Sequence, residues 1–186
     1  MHRGIFEPSL ALAYQVDPAP GRHTATAPAE LPVFTPFLEM DGRKPAGRYD
    51  YSAKGPVQAI IMATLRAYDS LGMCQFAFQM SDPPLIEWVN AITGWQMNHD
   101  EFFRVGKRIQ VMRHAFNARH GLPTQFPLPA LERGDPPQPL GPVANRTLDM
   151  NTMAAGYFKI LGVDPSTGKP LPETVKELGL EEIYDE

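Results

Sequence analysis

The 186-residue chain is long enough for one globular domain or for one large piece of a longer protein. Hydrophobic residues make up 43% of it and charged residues 20%, which is enough to bury a core and excludes wholesale disorder. The net charge of -4 disfavours nucleic acid or an anionic membrane surface as the main partner. No apolar run approaches the roughly 18 residues that span a bilayer. Glu7 and Pro8 interrupt any signal core, so we expect a cytoplasmic protein without a membrane or nucleic-acid partner.

Proline and cysteine usage is unusual. The chain contains 20 prolines, about twice the ~5% of average usage, so long irregular connections are expected between its ordered elements. It contains a single cysteine, Cys74. One cysteine excludes an internal disulfide, which suits a reducing compartment.

The first half of the chain predicts two helices separated by a long loop. A short helix is expected at residues 10–14. Prolines at positions 18, 20, 28, 32 and 36 then prevent a long helix, and such a loop usually covers a site or a neighbouring domain. A strong helix is predicted from residue 55 or 56 to residue 70, because Pro56 suits a first helical position and apolar residues recur at three- and four-residue spacing.

The second half predicts four further helices from their end signals. Asp82 with Pro83 favours a helix that runs to Gly94, and Asn98 with Glu101 resembles a capping box for a helix that ends near Gly121. On that helix one apolar face is predicted from Phe102, Val105, Ile109, Met112 and Phe116. The last two helices are expected at residues 148–161 and 173–178. Strand patterns are nearly absent, so residues 1–186 are predicted to form a single, mainly α, irregular helical domain with long proline-rich loops and little or no sheet.

Cys74 is the residue with most chemical potential, and the residues alone leave its role open. A free thiol is most often a buried, inert small hydrophobe. A catalytic thiolate would need a histidine close in space. An iron–sulfur cluster normally takes about four cysteines, so a cluster that used Cys74 would have to be completed from outside this chain.

The segment Asp69-Ser70-Leu71-Gly72-Met73-Cys74, followed by Phe76, resembles a motif in the third domain of the tungsten-containing aldehyde:ferredoxin oxidoreductases. Other segments resemble the same family in the same order, from about residue 13 to residue 180. They are Ala91-Ile92-Thr93-Gly94, Val105-Gly106-Lys107-Arg108-Ile109, Phe116-Asn117-Ala118-Arg119-His120-Gly121, Gly162-Val163-Asp164 and Gly168-Lys169-Pro170. Each segment is short, and their order and spacing together carry the resemblance.

The resemblance implies a role for each residue of the motif. Asp69 would accept hydrogen bonds from a pterin, Gly72 and Met73 would lie against that pterin, and Cys74 would be one of the four ligands of a 4Fe-4S cluster. The Arg22-His23-Thr24 segment resembles the stretch that carries the family's active-site histidine, so His23 would donate a proton or a hydrogen bond beside the metal. The cofactors implied are a tungsten (or molybdenum) bis-pterin and the cluster.

Two groups of charged or titratable residues have plainer readings. His2, His99, His114 and His120 have no paired metal-ligand spacing and are expected at the surface. A basic set could form a ferredoxin-docking face, although solvated or interdomain positions are the commoner use of such residues. This set consists of Arg104, Lys107, Arg108, Arg113 and Arg119.

The family's enzymes are much longer than this chain, and we expect their N-terminal β-rich and middle domains to be absent here. The remaining domains or subunit of the same enzyme, ferredoxin and a small aldehyde are therefore the implied partners, and the chain alone is expected to be inactive. One alternative is a tungsten subunit domain of an enzyme that resembles benzoyl-CoA reductase. A second, from another class, is a non-catalytic helical remnant or assembly module.

Overall fold

A computed structural model describes residues 3–184, with the side chains of residues 78, 79, 183 and 184 left out of the description. Within that range the protein is helical, and its only β pairing is an isolated antiparallel bridge between Val163 and Pro170. The helices are α1 (Pro8–Val16), α2 (Thr35–Met40), α3 (Tyr51–Ser70), α4 (Gln75–Met80), α5 (Leu85–Thr93), α6 (His99–Arg119), α7 (Ala130–Arg133), α8 (Met150–Leu161), α9 (Pro172–Leu178) and α10 (Glu181–Tyr184). The prediction of a mainly α fold is confirmed. In the described part of the chain, no helix combines the length and apolarity needed to cross a membrane.

Helix α3 is the centre of the fold, and it packs along both α6 and α8. It begins earlier than predicted, because the Asp50 side chain caps it by accepting a hydrogen bond from the Ala53 N–H at 3.2 Å. The prediction that Pro56 takes the first helical position is therefore wrong. Pro56 lies inside the helix, and its ring packs against Gly156 of α8.

Two apolar clusters lie on either side of α3. The first joins α3 to α1, α8 and the C-terminal segment, with Tyr157, Phe158 and Leu161 among its largest buried side chains. The second joins α3 to the proline-rich segment and to α5, with Phe34 and Leu38 buried at its centre. A helix that is buried on both sides positions whatever is attached to its ends, because the whole core resists its displacement.

The proline-rich segment between α1 and α3 contains no long helix, as predicted. It forms two short 3-10 helices, His23–Ala25 and Pro32–Phe34, and the short α2. Its buried side chains anchor it to the core, so it is an ordered cover over one side of α3.

The capping box that opens α6 is confirmed. The Asn98 side chain accepts from the Glu101 N–H, and the Glu101 carboxylate accepts from the Asn98 N–H, each at 2.9 Å. The start predicted for α5 is wrong: the helix begins at Leu85 instead of after Asp82. Pro84 explains the difference, because a residue that precedes proline is disfavoured in helical conformation and Pro83 is such a residue.

The apolar face predicted for α6 is also wrong in part. Val105 is exposed, and Phe116 is 63% exposed. The buried face instead includes Gly106, Gln110 and His114, so the prediction that His114 lies at the surface is corrected as well. His2 lies outside the described residues.

Polar residues can occupy this buried face because they form hydrogen bonds with other buried residues. The Gln110 amide donates to the Tyr157 hydroxyl at 2.8 Å, and His114 Nε2 lies 3.0 Å from the same hydroxyl. Asp17, which follows α1, accepts from Arg113 at 2.9 and 3.2 Å. A buried polar group costs little when it is fully hydrogen-bonded, so this network can replace apolar packing between α1, α6 and α8.

Gly106 allows the backbones of α6 and α3 to touch. A Cβ at this position would lie 2.0 Å from the Ala63 carbonyl oxygen. We therefore expect Gly106→Ala to lower the free energy of unfolding by about 2 kcal/mol or more, because the two helices must move apart. The neighbouring exposed position gives the control, since Val105→Ala should change it by less than about 0.5 kcal/mol. Urea denaturation of both variants checks this, and equal stabilities would contradict the helix contact.

Burial lowers the pKa of His114 from 6.5 to about 4. The folded protein therefore keeps His114 neutral, while the unfolded chain protonates it below its ordinary pKa of 6.5. The free energy of unfolding should fall as the pH drops from about 6.5 to 4, by up to about 3 kcal/mol from this residue. Urea denaturation at several pH values should show a shallower dependence in His114→Gln and the full dependence in a variant of the exposed residue, His120→Gln. A His114→Gln profile identical to that of the wild type would contradict the assignment.

Candidate functional site

The predicted motif forms the turn that ends α3. Three backbone hydrogen bonds close it: Leu71 and Met73 N–H donate to the Tyr68 carbonyl at 3.1 and 3.3 Å, and Gly72 N–H donates to the Asp69 carbonyl at 3.0 Å. Gly72 adopts a left-handed conformation with φ +70°, which is the usual way for glycine to end a helix. Apart from Gly72 and its two neighbours in sequence, no atom of the described residues lies within 4 Å of the place where a Gly72 Cβ would be, so the space beside this glycine is open within the described part of the chain.

Asp69 is held by a buried arginine. Its side chain is 53% exposed, and Oδ2 lies 3.1 Å from a guanidinium nitrogen of Arg66, whose own side chain is only 5% exposed. Arg66 also interacts electrostatically with Asp17 and Arg113. The charges therefore alternate from the buried network of α6 out to the surface carboxylate, which fixes Asp69 where it can accept hydrogen bonds.

Cys74 is an exposed free thiol. It directly precedes α4, and its carbonyl accepts from the Ala77 N–H at 2.9 Å. The interpretation of Cys74 as a buried, inert thiol is therefore wrong. Among the described residues no group of three or more histidine, cysteine or acidic side chains could hold a metal ion, so a cluster at Cys74 would need ligands from another polypeptide segment.

The structure places Met73 differently from its neighbours in the motif. Its side chain is half-buried and packs against the apolar cluster that joins α3 to α5. An apolar contact next to the glycine is a regular part of this kind of helix end. The Met73 side chain therefore attaches the turn to the apolar core. Asp69, Gly72 and Cys74 remain on the outside.

A cavity of about 580 Å³ lies beside this turn, within the size range of about 300–1,000 Å³ for small-molecule sites. The start of α1, residues 23–30, the first turns of α3 and the start of α4 surround it. Its polar lining includes Glu7, His23, Glu30, Arg48, Lys54, Gln58 and Gln75. His23 is exposed and lies in the wall, as do Gln75 and Phe76, the two residues that follow Cys74. The histidine loop and the two residues that follow Cys74 therefore border the same cavity.

A chain of side-chain hydrogen bonds joins the parts of this cavity. The Gln75 amide donates to the Thr26 carbonyl at 3.0 Å, and the buried Thr26 hydroxyl donates to the side-chain oxygen of Gln58 on α3. Thr26 directly follows the 3-10 helix that carries His23. One short network therefore fixes the histidine loop, the central helix and the residue after Cys74 relative to one another.

Sequence reasoning missed Lys54, Gln58 and Gln75. Lys54 and Gln58 lie on the buried side of the first turns of α3, but the predicted helix began after Lys54. The signal that could have found them is their four-residue spacing, which puts both on one helical face with the apolar stripe. Gln75 carries no local signal, because its partner Thr26 is 49 residues away.

Most of the basic residues of α6 are engaged within the chain. Arg104 and Arg108 donate to the carbonyls of Glu177 and Gly179 at the end of α9, and Lys107 pairs with the Glu177 carboxylate at 3.0 Å. Cations at a helix C-terminus interact favourably with its dipole. Arg113 binds the buried Asp17, so these four residues hold the fold together.

These features define a mainly α domain with an exposed free thiol, and comparison with known proteins identifies its family. The family model for domains 2 and 3 of aldehyde ferredoxin oxidoreductase matches residues 1–180. The chain belongs to the aldehyde ferredoxin oxidoreductase family.

Individual relatives carry the same name. The tungsten-containing aldehyde ferredoxin oxidoreductase of Pyrococcus horikoshii is 30% identical over 141 residues, which are 73% of this chain and 23% of the relative. The enzyme of the same name from Pyrococcus furiosus is 31% identical over 121 residues, 62% of this chain and 19% of the relative. The chain thus spans less than a quarter of the length of these relatives.

The link between Gln75 and Thr26 can be tested by removing it. Gln75→Ala should lower the free energy of unfolding by about 1 kcal/mol and speed amide hydrogen exchange in residues 23–26, because the loop loses its bond to α4. Gln96→Ala, at an exposed glutamine, is the control and should leave both unchanged. Unaltered exchange in residues 23–26 of Gln75→Ala would contradict the network.

Proposed function

We propose that this chain forms one wall of the active site of an enzyme that oxidises a small aldehyde to a carboxylic acid. The overall reaction consumes one aldehyde and one water and releases the acid, two protons and two electrons. A 4Fe-4S cluster, when bound, would supply the path by which these electrons leave to ferredoxin. The observation that carries this proposal is that Asp69, Gly72 and Cys74 are all exposed at the hydrogen-bonded end of α3, and that the two residues after Cys74 line a cavity that His23 also lines.

The residues of the turn fit the cofactors that the family implies. The exposed Cys74 thiol can reach an iron atom that other cysteines hold from outside this chain. The Asp69 carboxylate, with one oxygen bound to Arg66, can accept N–H donors from a pterin at its other oxygen. The open space at Gly72 admits a flat ring against the backbone. When bound, the tungsten (or molybdenum) pterin and the cluster supply the two-electron chemistry.

His23 is the residue of this chain that we assign to proton handling. Its imidazole lies in the cavity wall, on a loop that Thr26 ties to Gln58 and Gln75. A histidine held in this way can donate a proton or a hydrogen bond to a substrate oxygen. The proposal therefore places the aldehyde in the same cavity.

The rest of the enzyme is the partner that the surface favours. Several large apolar side chains in the turn and after it are exposed: Leu71, Phe76, Met80, Trp88, Ile92 and Trp95. Such a concentration on one segment is typical of a surface that another domain or subunit covers. A polypeptide that packs here would bring its cysteines next to Cys74.

Replacing Cys74 tests the cluster assignment. The 186-residue chain is co-expressed without oxygen with a polypeptide that carries the other domains of a relative. In this complex, Cys74→Ser should lower the iron content and the visible absorbance of the cluster, because one of about four thiolate ligands is lost.

Met73→Leu is the matched control, because it alters the adjacent side chain while keeping its volume and apolarity. It should leave the iron content at the wild-type level. Equal iron content in the Cys74→Ser complex and the wild-type complex would refute the proposed cluster ligand.

A further inference from the structure

Lys54 is an ammonium group buried in the wall of the cavity. Only 5% of the residue is exposed, and it lines the cavity together with Gln58 and His23. A lysine carries three N–H donors and no acceptor, and burial of such a charge is unfavourable unless the donors find partners. A lysine that is almost completely buried beside a cavity of this size therefore needs hydrogen-bond acceptors for its ammonium group.

The nearest carboxylate satisfies Lys54 only in part. Glu7 Oε1 lies 3.9 Å from the ammonium nitrogen, which is longer than a hydrogen bond. The same oxygen accepts from the N–H and the hydroxyl of Ser9, by which Glu7 caps α1. Glu7 offsets part of the charge of Lys54 but is committed to the helix end, so the lysine donors are available to a group in the cavity.

Other charged groups near Lys54 act through solvent. Arg48, Glu30 and Asp50 are exposed, so their fields are screened at the mouth of the cavity. Burial lowers the pKa of Lys54, while Glu7 and Glu30 act to raise it. Glu7 offsets part of the Lys54 charge, and a ligand oxygen that reaches the ammonium group supplies a hydrogen bond that Glu7 is too distant to make.

We propose that Lys54 anchors the carboxylate of a small organic acid in this cavity. The inference rests on the proposed function, because oxidation of an aldehyde generates a carboxylate at the position where the aldehyde was bound. Gln58 and His23 add hydrogen-bonding groups to the same wall. The cavity is thereby selective for an oxyanion over a neutral group of the same shape, and it holds the acidic product until the product leaves.

Two probes of the same size, one an anion and the other neutral, test this directly. Propionate and propionamide are titrated into the 186-residue chain without cofactors, and binding is followed by NMR shifts of the residues that line the cavity. The wild-type protein should bind propionate about tenfold more tightly than propionamide, the ratio expected for one charge-assisted interaction. Lys54→Met should bind the two probes equally, whereas Lys159→Met, at an exposed lysine on α8, should keep the wild-type preference.

A second measurement covers the case in which Lys54→Met does not fold. In the wild-type chain labelled at the lysine side-chain carbons, the Lys54 signal should shift with propionate and stay unchanged with propionamide. The inference is overturned if the wild type does not bind propionate more tightly than propionamide, or if Lys54→Met keeps that preference. It is also overturned if the Lys54 signal does not shift when propionate is added. Because no iron or pterin is present, these failures leave the cluster assignment intact, and a failed Cys74 test leaves this one intact.

Discussion

The turn at the end of α3 is the constraint on which the site depends. Three backbone hydrogen bonds and one left-handed glycine fix the backbone from Tyr68 to Met73, which contains the exposed Asp69 and leads directly into the exposed Cys74. The turn can hold them only because α3 itself is fixed, with apolar clusters on both sides and close backbone contact to α6. If Asp69 and Cys74 bind neighbouring cofactors as proposed, this arrangement favours binding, because the turn fixes their backbone positions beforehand.

The cavity depends on the same helix. The first turns of α3 supply Lys54 and Gln58, its last turn leads into Cys74, and the Thr26 link brings the histidine loop to both. The parts of the site are therefore arranged along one buried helix, with the cavity residues near its start and Cys74 just after its end. Displacement of α3 along its axis would alter the cavity and the turn that ends α3 together.

Local signals were sufficient for several elements. The capping box at Asn98 marks the start of α6, and the glycines at 162 and 179 mark the C-terminal ends of α8 and α9. These signals are local because the atoms involved are within a few residues of one another. The start of α3 was missed because Pro56, a good first residue, is also tolerated inside the helix when its ring packs against Gly156. The inward face of α6 was missed because Gln110 and His114 become suitable core residues only with Tyr157, which is more than 40 residues away.

The site likewise has one part that local sequence predicts and one part that it does not. The motif from Asp69 to Cys74 is contiguous, so its resemblance to a family could be read directly and the family assignment is confirmed. The cavity could not be read, because its walls come from segments far apart in the chain and the hydrogen bonds that join them span 32 and 49 residues. Neither composition nor periodicity reports such pairings.

The most direct test of the account follows from the presence of only one cysteine in the chain. Cysteine deuterated at the β-carbon is incorporated into this chain alone, and the chain is then reconstituted with an unlabelled polypeptide that supplies the other cysteines and the iron. Electron–nuclear double resonance of the reduced cluster should show a deuterium coupling, since the only labelled thiolate is that of Cys74. A reduced cluster with no deuterium coupling would show that Cys74 does not bind iron and would contradict the role assigned to the turn.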